Sequence, residues 1–107
     1  MTKYARTSTV LAAVVLLAGA TCFAQGPGEA TYKAKCQNCH GAAGLAETGM
    51  AKALEVKPVT DPAVSKMTLA EMIEATKNGV GKMPAFKASL SEAEIRGSAE
   101  VFHSFIK

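Results

Sequence analysis

The sequence predicts an all-α domain of about four short helices and long loops, wrapped around a centre that its own side chains do not supply. Three observations predict it. No stretch shows the strict apolar–polar alternation of a half-buried strand. Two helix starts are written out as Thr68-Leu69-Ala70-Glu71 and Ser91-Glu92-Ala93-Glu94, each a hydroxyl followed three residues later by a glutamate. The chain also has no Trp, two Tyr and four Phe in 107 residues, a thin stock for a core, and domains this small usually need a staple.

Residues 1–24 stand apart from that domain. Lys3 and Arg6 make a positive start, Val10 to Ala20 is an unbroken run of 11 small and apolar residues, and Cys22-Phe23-Ala24 ends in a small residue before Gln25. The run is shorter than the roughly 20 residues of a spanning helix. The expectation is a cleaved export signal, cut after Ala24, which leaves residues 25–107 as the domain and places it, soluble, in the periplasm. Retained, the uncharged stretch between Arg6 and Glu29 would instead serve as a membrane anchor. Cleavage also removes Cys22, so Cys36 and Cys39 remain and no disulfide framework is left. Without Lys3 and Arg6 the basic side chains fall from 12 to 10, against 9 acidic ones. A net charge of +1 gives no argument for nucleic acid as a partner.

Within the domain, Gly26-Pro27-Gly28 is a breaker cluster, and Glu29 to Cys39 reads as the first helix, with Glu29 in the favourable first turn. Tyr32, Cys36 and Cys39 recur at i, i+4 and i+7 and share its inner face. A loop with Gly41, Gly44 and Gly49 leads to one or two helical turns at Met50 to Leu54, and Lys57 to Pro62 reads as an extended loop. The Thr68 cap opens a helix whose inner stripe is Leu69, Met72, Ile73 and Thr76, stapled by Met67 and Met72 and ended by Gly79. Gly79 to Ala88 is an irregular loop. The Ser91 cap, with a Leu90–Ile95 staple, opens the last helix, whose apolar side is Ile95, Ser98, Ala99, Phe102, Phe105 and Ile106.

The chemistry lies in Cys36-Gln37-Asn38-Cys39-His40. Two thiols on one helical face can reach two vinyl groups on one porphyrin edge. The residue directly after them can bring an imidazole nitrogen to the iron. Cys-x-x-Cys alone would also suit a redox dithiol or half a zinc site; the appended histidine selects one covalently attached haem c per chain. The opposite face of the iron needs a ligand from Met50, Met67, Met72, Met83, His103 or water. Met83 fits best, because it sits in a glycine-rich loop, is stiffened by Pro84, and lies 43 residues beyond His40. Met72 reads as core filling, Met67 as a staple, Met50 as part of a small helix, and His103 as a surface side chain.

Together these residues resemble the class I mono-haem c-type cytochromes of bacteria. The resemblance runs over residues 28–107 and is carried by Cys36-x-x-Cys39-His40, by Lys82-Met83-Pro84-Ala85-Phe86, and by a capped C-terminal helix. Gly28 and Tyr32 match the glycine and aromatic that the family uses where its first and last helices cross. The resemblance implies a monomeric, non-enzymatic, one-electron carrier. Cys36 and Cys39 would be the thioether sites, and His40 and Met83 the axial ligands of an iron that shuttles electrons between redox partner proteins. Lys33, Lys35, Lys82 and Lys87 are expected to ring the docking edge. The alternative class is a peroxidase-like enzyme or small-gas sensor with a labile Met83 bond, for which His103 is the one distal acid–base group on offer. Two departures from the family pattern stand out. Val101 occupies the place of an expected aromatic, for which Phe102 or Phe105 would substitute. The proline whose carbonyl orients the proximal histidine is open between Pro58 and Pro62.

Overall fold

The computed structural model describes residues 27–107; the expected export segment at 1–24 lies outside them. In chain order come α1 (Pro27–Thr31), a π-helical turn (Tyr32–Cys36), α2 (Gln37–His40), α3 (Gly49–Ala53), α4 (Pro62–Ser65), α5 (Leu69–Asn78) and α6 (Glu92–Ser104). Among the described residues there is no strand, only an isolated antiparallel bridge between Val80 and Met83. No described helix is long and apolar enough to cross a membrane.

The expected first helix forms, but its winding changes partway. The Gln37 N–H bonds back to the Tyr32 carbonyl, five residues earlier, so one wide turn separates α1 from α2. A strict i, i+4, i+7 register between Tyr32 and the cysteines therefore does not hold, although all three still face one cavity. The helix leans on α6, and the contact is backbone on backbone. A Cβ added at Gly28 would lie 2.3 Å from the Gly97 carbonyl oxygen, and one at Gly97 would lie 2.8 Å from Gly28 Cα. Only glycine permits that approach at either position.

The expected C-terminal helix is fully capped. The Ser91 hydroxyl accepts the Glu94 N–H, and the Glu94 carboxylate accepts the Ser91 N–H. These bonds to Ser91 hold the Glu94 carboxyl below its ordinary range. Leu90 and Ile95, the expected staple, are both buried, and α6 also packs on α5. The box predicted at Thr68 forms by half. The Thr68 hydroxyl accepts the Glu71 N–H at 3.1 Å, while Glu71 makes no return bond, and α5 nonetheless runs its expected length to Gly79.

Two short helices complete the shell. At α3, Thr48 accepts the Ala51 N–H and donates to the Asn38 carbonyl at 2.6 Å, tying this helix to α2. At α4 the expected extended loop ends early. Asp61 caps the Ala63 N–H with Pro62 at the first helical position, a pairing that needs no N–H from the proline. About four helices were expected; the extra turn at α4 and the π interruption account for the difference. The core is small: Tyr32, Ala51, Val59, Met72, Leu90, Ile95 and Ala99 are the buried apolar residues.

Candidate functional site

What that core lacks in side chains it leaves as space. The π-helical turn, α2, α5, α6 and the Val80–Phe86 loop enclose a cavity of about 600 Å³, and Cys36, Cys39, His40 and Met83 all line it. The rest of its wall is largely carbon, from Leu54, Val56, Val64, Met67, Met72, Val80, Phe86, Ala99 and Phe102. Among the described residues no three His, Cys, Asp or Glu side chains cluster as metal ligands.

Local sequence explains the placement of the cysteine wall. The wide turn after Tyr32 presents Cys36, and α2 carries Cys39 and His40 on the same side. Both thiols are free. Burial pushes the Cys36 thiol up, the Ser98 hydroxyl beside it pulls the other way, and Cys39 adds to the rise. Ser98 is almost wholly buried and donates to the Ile95 carbonyl at 3.0 Å. Burial also lowers the His40 pKa, which keeps the imidazole neutral, the form that binds metals. Its Nδ1 is shut off from solvent and has no hydrogen-bond partner. The Tyr32 hydroxyl donates to the Gly41 carbonyl at 2.6 Å, one residue past the histidine. Burial first, and the nearby Cys36 second, raise the Tyr32 pKa well above its ordinary value, so the phenol keeps its proton.

The methionine wall is a tight turn. Val80 and Met83 exchange N–H···O bonds at 3.1 and 2.9 Å around Gly81-Lys82, and the Phe86 N–H bonds to the Thr76 carbonyl at 2.9 Å, which pins the loop to α5. Gly79, at φ 77°, turns the chain out of α5, and a Cβ there would lie 2.8 Å from the Met83 carbonyl oxygen. Met67 and Met72 line the same cavity, so three methionines share it. Met50 is exposed and lies elsewhere, and His103 is not among the lining residues.

Three sequence expectations come out differently in space. Lys35 and Lys82 reach the cavity rim, joined by Lys57, which the sequence reading had passed over. Lys33 instead lines a separate cleft of about 510 Å³, and Lys87 lines neither. Neither Pro58 nor Pro62 supplies an acceptor to His40. Phe102 and Phe105 both fill the place left by Val101. The Tyr32 ring lies 6.4 Å from Phe102, nearly parallel, and 5.5 Å from Phe105, edge-on. Gly97 is the residue that sequence reasoning missed, and its partner Gly28 was the signal that could have found it.

The residues fit a covalently held porphyrin: an apolar cavity, two free thiols on one wall and a neutral imidazole with a buried, partnerless nitrogen. An all-helical shell around such a site defines a small mono-haem c-type cytochrome. The chain belongs to the family described as cytochrome c oxidase, cbb3-type, subunit III, whose profile matches residues 24–100. Among solved structures it is similar to the KustC0563 c-type cytochrome, at 27% identity and a TM-score of 0.66, over 75% of this chain and 98% of that one. It is also similar to a tyrosine-to-phenylalanine mutant of that protein, at 24% identity and a TM-score of 0.65, over 75% and 99%. No curated protein matches the sequence. Family and fold together make the chain a haem c protein, with iron porphyrin bound covalently, of the electron-carrying kind.

Proposed function

We propose that this protein is an exported one-electron carrier. Cys36 and Cys39 form the thioether bonds, His40 and Met83 are the axial iron ligands, and redox partner proteins dock at the cavity rim. The observation that carries the reading is that these four side chains, 47 residues apart at the extremes, line a single cavity. When bound, the haem supplies the reversible change between ferric and ferrous iron.

The chain's own residues do the rest. The thiols would hold the ring to the first helix, and the His40 imidazole and Met83 thioether would both hold its iron, which would leave no open site for a substrate. A thioether opposite imidazole favours ferrous iron and raises the potential relative to two nitrogens. The carbon-lined wall acts in the same direction, since it disfavours the extra positive charge of the ferric state. Lys35, Lys57 and Lys82 at the rim would steer an acidic partner by complementary charge, an effect that salt screens. The glycine crossing, the helix caps and the Met83 turn are closed by bonds and contacts of the chain itself, a frame suited to change little between oxidation states.

Export tests the domain boundary, and a visible spectrum tests the ligands. Protein recovered from the periplasm should have lost residues 1–24 and gained the mass of one haem that acid acetone does not extract. The ferric form should show the weak long-wavelength band of sulfur-ligated iron, and Met83→Ala should abolish that band while the pigment stays attached. A colourless product, or a band that survives in Met83→Ala but disappears in Met67→Ala or Met72→Ala, would sink this assignment.

A further inference from the structure

We propose that Thr76 and Ser98 are potential-setting residues, two buried hydroxyls that turn their oxygens to the cavity and stabilise ferric iron against the pull of the carbon-lined wall. The inference rests on the one-electron carrier reading and adds to it a contribution of opposite sign. Among the described residues the buried polar side chains are Thr31, Thr76 and Ser98, and the last two both line the cavity. They come from α5 and α6, two helices that pack on each other. A polar group in such a wall costs free energy unless it is hydrogen-bonded, so the direction of each proton decides what the hydroxyl does.

Both protons are spent on backbone. The Thr76 hydroxyl donates to the Met72 carbonyl at 2.7 Å, four residues back, and the Ser98 hydroxyl donates to the Ile95 carbonyl at 3.0 Å, three residues back. Hydroxyls inside a helix can bond back to its own carbonyls in this way. A hydroxyl has one proton and two lone pairs. A side chain that gives its proton to its own helix therefore offers only its oxygen to what fills the cavity. Tyr32 repeats the pattern, since it lines the cavity and its hydroxyl donates to the Gly41 carbonyl at 2.6 Å. The Ser98 hydroxyl also lies beside the Cys36 thiol. As a thioether, Cys36 would have no proton to give and would accept more weakly than a carbonyl, so the Ser98 proton stays on Ile95. The negative ends of these dipoles favour the more positive of the two oxidation states, the ferric one. In a low-dielectric wall that attraction is little screened, and polar groups beyond the ligands are a recognised lever on potential.

The test measures the equilibrium reduction potential of the holoprotein, wild type against Ser98→Ala, Thr76→Val, the double variant, Thr76→Ser and Thr48→Val. Thr48 lines the separate cleft and bonds to the Asn38 carbonyl and the Ala51 N–H, so Thr48→Val is the control for a hydroxyl lost outside the cavity. Thermal unfolding and the sulfur band are followed in each, because a merely structural role would move these without fixing the sign of a change in potential. Ser98→Ala and Thr76→Val are each expected to lower the ferric to ferrous ratio at a fixed ambient potential two- to fivefold, an upward shift of about 20 to 40 mV. The double variant should lower it by the product of the two. Thr76→Ser and Thr48→Val should each change it by less than about twofold. A ratio that is unchanged or higher in Ser98→Ala overturns the proposal, a rise meaning that the hydroxyl directs its proton into the cavity. An equal fall in Thr48→Val overturns it too. Ser98→Ala decides alone if Thr76→Val loses the sulfur band. A wild-type ferric protein without that band would show that the ligand assignment itself had failed, and the proposal would fall with it.

Discussion

The Cys36–His40 wall and the Val80–Phe86 loop face each other across one cavity, and they are held by different means. The first is braced from beneath. Tyr32 grips it twice, through its carbonyl at Gln37 and its hydroxyl at Gly41, and the helix below touches α6 backbone to backbone at Gly28 and Gly97. The second is a surface turn, closed by two bonds between Val80 and Met83 and tied across the rim by one exposed ion pair, Lys82 to Glu55 at 3.3 Å. Val80, at 62% exposure, is the most exposed large apolar residue among those described. The difference teaches that firmness is unevenly shared around the site. The histidine side is braced by the domain's core through Tyr32, whereas the methionine side closes mainly on itself, pinned to α5 at Phe86, and is the side expected to yield first.

The largest expected effect tests the firm side. Gly28→Ala drives a Cβ into the Gly97 carbonyl, where neither backbone can retreat, and should cost about 3 kcal/mol in thermal unfolding of the holoprotein. A cost near zero would mean that the helix crossing does not brace the site. Gly79→Ala probes the yielding side. Its positive φ and its contact with the Met83 carbonyl predict about 2 kcal/mol, with the sulfur band weakened in the folded protein. If that band is unchanged, the loop is firmer than its hydrogen bonds suggest. Tyr32→Phe keeps the ring and removes the bond to Gly41, for about 1 kcal/mol, without altering the sulfur band.

Two smaller effects sharpen the contrast. Glu55→Gln breaks an ion pair whose side chains are 58% and 83% exposed, and it should cost less than about 0.5 kcal/mol at any salt concentration. A larger loss would make the pair a real clasp across the rim. The smallest effect is in the pH profile. The Glu94 carboxyl is lowered in the folded state by its bonds to Ser91, so its contribution is present above the ordinary glutamate range and is lost as pH falls through the lowered value. Glu94→Gln should therefore narrow its stability gap to wild type on acidification; a gap that widens contradicts the sign.

The parts of this protein that are local in the chain were legible in the sequence. The Cys36–His40 motif needs only five consecutive residues, and the Ser91–Glu94 box and the Thr68 cap need four each, because the groups they satisfy lie within one turn. The turn at α4 was legible too, in Asp61 followed by Pro62, although the expected extended loop from Lys57 to Pro62 overlaps it only at its first residue. Tertiary structure alone decided the rest. The π turn forms where a helix must serve both the crossing at Gly28 and the cavity at Cys36, a demand that no single window of sequence states. Which lysines reach the rim, which rings replace the aromatic missing at Val101, and whether a proline carbonyl meets His40 all depend on how distant segments pack. Hydrogen bonds within a turn are set by neighbours in the chain, whereas the orientation of the His40 ring and the contents of the cavity are set by neighbours in space.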